Sequence, residues 1–244
     1  MVVTPKPTIA FGPDYPNSLT DLVVGVEMPM VQERPWSRIF RHPTSGAIFQ
    51  IPRTMDGSAN LTLEELTQRW STWTPAERRD LSLAVAWLRG RDDFADILRF
   101  LIREGNSDIW SAIALSVAHT LPQDEAYRVL VQSLEATNLA AGTNLVQAIA
   151  ATGHASAAST IRDRLNRLRA APEFWEDAPN VNELALTAMF ATKHLVELGE
   201  DADLLAEFVR ALAAHRCKEV GRFCRMHLKS TYSWLSEPTS SSTV

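Results

Sequence analysis

The sequence predicts an all-α body, a solenoid of about four helical hairpins closed by a terminal helix, behind a small Pro-rich N-terminal segment that contains a β-hairpin. Three observations carry this. Eight of the 13 prolines lie at or before Pro52, where each removes a backbone donor and fixes φ, so long helices are excluded there. From Leu61 onward apolar residues recur at the i, i+3, i+4, i+7 spacing of an amphipathic helix. Those stripes come in pairs that repeat at shifts of 32 and then 31 residues, as expected of supersecondary units that cannot cover their own apolar faces.

Residues 1–60 form the predicted N-terminal cap. The runs WSRIFRH and AIFQI, rich in aromatic and β-branched residues, flank the turn signal Pro43-Thr44-Ser45-Gly46 and predict a hairpin from Trp36 to Ile51. A third strand is expected near Leu22 to Met28, where the same letters also allow a helical turn. The helical region is predicted over 61–235. Thr62 with Glu65 has the form of a capping box, and Thr74 with Pro75 and Glu77 places a cap before proline at the first helical position. The polar knot Arg89-Gly90-Arg91-Asp92-Asp93 then reads as the turn of a helical hairpin, and the stripe Phe94, Ile97, Leu98, Leu101 and Ile102 follows it on one face.

Shifted by 32, that stripe falls on Ala126, Val129, Leu130, Ser133 and Leu134, with Pro122 in place of Gly90 and Asp124 in place of Asp92 as the cap. A further 31 reaches Ile161 and Leu165, with Gly153 as breaker and Ser156 as cap. A fourth pair carries Val181, Leu184, Ala185, Ala188 and Met189, then Leu205, Phe208, Val209 and Leu212, joined through Gly199. Arg216 to about Leu235 is expected as an unpaired last helix, and residues 236–244, SEPTSSSTV, as a disordered tail with too little apolar content to pack.

Composition narrows the function classes. The chain has 244 residues, 45% of them hydrophobic, and a formal charge of -5. Residues 74–215 carry 13 Lys/Arg against 20 Asp/Glu, whereas residues 216–244 carry five against two. An acidic body disfavours nucleic acid, whose affinity comes from neutralising phosphates. No run reaches the roughly 18 apolar residues of a membrane helix, and no basic-then-apolar leader begins the chain. The expectation is therefore a cytoplasmic protein without membrane contact. Cys217 and Cys224 would stand about 10 Å apart along a helix, too far for a disulfide, and read as buried thiols.

The Ala-rich first helices (LSLAVAWL, WSAIALSVAHTL, NLVQAIAATG) and aliphatic second helices (FADILRFLI, AYRVLVQSL, STIRDRLNRL) resemble the HEAT-like and armadillo-type repeat families over Thr74 to His215. The resemblance implies a curved stack whose inner helices bind another protein, as a scaffold or an immunity-type inhibitor in a bacterial setting. Arg164 departs from it, since the other copies have aliphatic or small residues there. One HEAT-like group excises alkylated bases from DNA with tryptophans and an acidic residue, which would fall to Trp87, Trp110 and Asp108. A third reading is a lyase that resembles the phycobilin-attaching HEAT-like enzymes.

No motif for catalysis or metal binding appears, and neither a catalytic residue nor a cofactor is expected. The histidines at 42, 119, 154, 194, 215 and 227 are scattered. Cys224 and His227 could give two ligands where a structural zinc needs four. The expected function is non-enzymatic protein binding. Its candidate residues are Trp87 and Trp110, on the first helices of neighbouring repeats, and the cationic stripe Lys218, Arg222, Arg225 and Lys229. Asp92-Asp93, Asp124-Glu125 and Glu200-Asp201-Asp203 read as helix-start carboxylates, and Trp70 and Trp73 as core or anchor residues.

Overall fold

The computed structural model describes residues 29–53 except 42, 44, 45 and 47, residues 61–175, residues 181–200, and positions 208, 210–212, 214, 215, 217, 218 and 220–222. Side chains at 49, 51, 83, 86, 87 and 182 fall outside that description. The described chain is mostly helical with a small antiparallel sheet. It divides into two compact units, Met1–Gly105 and Asn106–Val244. The division falls well inside the 61–235 span predicted as one helical region, so the sheet and the first helices belong to one unit.

In the first unit, strands β1 (Met30–Glu33), β2 (Ser37–Arg41) and β3 (Ile48–Pro52) form a sheet in the order β1-β2-β3. The β2–β3 pair is the hairpin read from the sequence, in register from Ser37↔Pro52 to Arg41↔Ile48. The Leu22–Met28 segment lies outside the described residues, and the additional strand observed begins at Met30. Its pairing with β2 shifts register between Met30 and Gln32, an irregularity that interrupts the ladder.

Helices α1 (Leu63–Arg69), α2 (Pro75–Ala84) and α3 (Phe94–Glu104) follow. Thr62 accepts from the Glu65 amide, and Thr74 and Glu77 make a complete capping box with Pro75 in the first turn. α2 is shorter than the stripe LSLAVAWL suggests: from Val85 to Leu88 the chain tightens into a 3₁₀ turn. Gly90 then takes φ +96°, a conformation that L side chains rarely adopt. Phe94, Ile97, Leu98 and Leu101 are buried as predicted, together with Phe100, while Ile102 is half-buried.

Two expectations about the knot change. Asp92 is exposed rather than capping, and Asp93, at the cap position, makes no cap bond, because its carboxylate is held by Arg91 at 2.9 and 2.7 Å. Arg91 also donates to the Leu61 carbonyl. It therefore ties the turn to the start of the helical region.

Trp36, Trp70, Trp73 and Phe100 meet edge to face at centroid distances of 5.3, 6.2 and 5.6 Å. All four are buried, which places Trp70 and Trp73 in the core. Beside them Asp80, 3% exposed, accepts from the Trp36 amide at 3.0 Å, from the Gln50 side chain at 2.7 Å and from the Ser37 hydroxyl. A carboxylate on α2 thus satisfies donors of two strands in a place water does not reach.

The second unit contains α4 (Ser107–Thr120), α5 (Gln123–Ala136), α6 (Thr143–Ala151), α7 (Ala157–Ala170) and α8 (Val181–Glu197). α4 packs on α6 and α6 on α8, while α5 packs on α4 and α6, and α7 on α6 and α8. The stripes explain this alternation. Ala126, Leu130, Ser133 and Leu134 on α5 are buried, as are Ile161, Leu165 and Leu168 on α7 and Val181, Leu184, Ala185, Ala188 and Met189 on α8. Gly153 at φ +65° makes the break between α6 and α7.

Arg164, the departure from the repeat pattern, is 2% exposed. Its guanidinium donates to the carbonyls of Asn138 at 2.7 Å and Leu134 at 3.4 Å. These acceptors lie at and just beyond the end of α5, where helix carbonyls lack intrahelical partners. Burial pushes Arg164 down to about 10. A Cβ at Gly142 would meet this guanidinium at 3.1 Å, so the glycine leaves the arginine its space.

Candidate functional site

Of the predicted binding residues, Lys218 and Arg222 are both exposed. The Gly221 amide bonds the Cys217 carbonyl at 3.1 Å, a helical turn that brings these two cations, four apart, to one side. Arg225, Lys229, Cys224 and His227 lie outside the described residues, as do the predicted fourth-pair positions Leu205 and Val209. Trp87 sits in the 3₁₀ turn Val85–Leu88, with its side chain outside the description. Trp110 is half-buried on α4, and Asp108, two residues earlier, is exposed. Residues two apart on a helix do not share a face, so Trp110 and Asp108 lie on different sides of α4.

The histidines act locally. His119 is exposed at the end of α4. His154 stacks on Tyr127 at 3.9 Å, its Nδ1 accepts from the Ser156 amide, and Asp124 stands 3.7 Å from its Nε2. His215 is buried, with Nε2 donating to the Phe174 carbonyl at 2.6 Å and Nδ1 accepting from the Cys217 amide at 3.0 Å, a protonation assigned from that network. No group of three or more His, Cys, Asp or Glu suited to a metal occurs among the described residues. Nor is any of their helices long and apolar enough to cross a membrane.

Among the predicted helix-start carboxylates, Asp93 is held by Arg91 and Glu200 by Arg162, while Asp201 and Asp203 lie outside the described residues. Glu135, further along α5, meets Arg167 at 2.9 Å. The Arg167 guanidinium holds the Glu135 carboxyl below its ordinary range.

The sequence reading passed over the linker between α7 and α8. Pro172–Phe174 forms a 3₁₀ turn, and Trp175 just after it is 37% exposed. Its indole donates to the Arg169 carbonyl at 2.9 Å. The ring meets Phe174 and Phe208, edge to face at 4.9 and 6.2 Å, and His215, stacked at 6.2 Å. The exposed Arg169 guanidinium lies 5.0 Å over Phe208. The available signal was the adjacent pair Phe174-Trp175 in a linker, where neither residue belongs to a helical stripe.

Comparison of the chain with protein-family models, with curated proteins and with solved structures finds no match.

Proposed function

We propose that this is a non-enzymatic protein-binding scaffold or inhibitor, possessing a HEAT-like α-solenoid, with the cationic stripe Lys218, Arg222, Arg225 and Lys229 as its docking face and Trp87 and Trp110 as further anchors. The observation that supports the reading is the alternate packing of α4, α6 and α8 with α5 and α7. In a solenoid each hairpin offers its apolar face to the next, and the stack presents a helical surface on which a partner can lie. The exposure of Lys218 and Arg222 on one side of a helical turn supports the cationic stripe as a docking face.

An affinity pull-down from the cells that make the protein tests it, run with the natural chain and with the Arg222→Glu, Arg225→Glu double variant. A stoichiometric protein partner lost from the variant is the expected result. Absence of such a partner, or equal recovery by both chains, removes the proposal. Salt-dependent DNA binding in a gel shift would favour the base-excision alternative, and a visible absorbance band on incubation with a bilin would favour the lyase alternative.

A further inference from the structure

We draw no further inference here: the strongest candidate, the edge strand β1 with its exposed Met30 and Val31, presents an open apolar edge, and nothing among the described residues shows what covers it.

Discussion

The two units join their elements with different polar contacts. In Met1–Gly105 one buried carboxylate, Asp80, gathers donors from Trp36, Ser37 and Gln50 and so fastens a strand pair to a helix. In Asn106–Val244 the contacts are rungs between successive hairpins. Gln123 donates to the Thr152 carbonyl, Tyr127 bonds Thr160, Asn144 donates to the Ser111 carbonyl, and Arg164 to those of Leu134 and Asn138. The first arrangement concentrates fragility at one side chain, because losing Asp80 strands several buried donors together. The second spreads it, because losing one rung costs one bond.

Large-to-small changes in the stripes should have the largest effects and should not distinguish the units. Leu98→Ala in the first and Leu130→Ala in the second are each expected to cost ~2–5 kcal/mol in denaturant unfolding, since both leave cavities at fully buried positions. A near-neutral result at either would mean that its unit is held by something other than its apolar stripe. Asp80→Ala comes next, at about 2–4 kcal/mol, with Asp80→Asn milder because the amide oxygen still accepts. Asn144→Ala should cost no more than about 1 kcal/mol. If Asn144→Ala matched Asp80→Ala, the contrast between hub and rungs would be broken.

Arg91→Ala should cost about 1–2 kcal/mol by freeing Asp93 and the Leu61 carbonyl, measured as faster amide exchange across α3. Arg164 sharpens the comparison differently, as a charged rung. Its value, pushed down to about 10 by burial, lies below that of the unfolded chain. The unfolded state then binds more protons between those values, so the burial cost is fully present below about pH 10 and relieved as pH rises above it. Arg164→Met, which keeps the stem and removes the charge, should therefore stay within about 1 kcal/mol of the natural chain by thermal melting.

The smallest effect belongs to Glu135 and Arg167, both roughly half exposed at 48% and 45%. Glu135 is depressed below its ordinary 4.5, so its contribution is present above that pH and lost as pH falls through the lowered value. Solvent screening holds it well under about 1 kcal/mol. Glu135→Gln should flatten that part of the acid titration.

The repeating stripes were legible because burial on a helix imposes a local spacing: Ala126, Leu130 and Leu134, or Ile161 and Leu165, are each set by neighbours three or four residues away. The Trp36–Ile51 hairpin was legible for the same reason, through its turn. Arg164 was visible only as an anomaly, since its acceptors lie 26 and 30 residues away. Of the candidate binding residues in the cationic stripe, Lys218 and Arg222 are exposed, and Arg225 and Lys229 lie outside the described residues. Trp175 escaped notice because its environment comes from Phe208 and His215, which no local period links to it.

From its own letters the chain determined which of the described segments are helical and which of their faces are apolar, because propensity, capping and periodicity act over a few residues. Tertiary structure alone decided that Asp80 would hold the sheet, that Arg91 would bridge to Leu61, and that Trp175 would meet Phe208 and His215. Those outcomes depend on groups brought together from distant parts of the sequence, and a buried polar atom finds its partner only after packing has excluded water from around it.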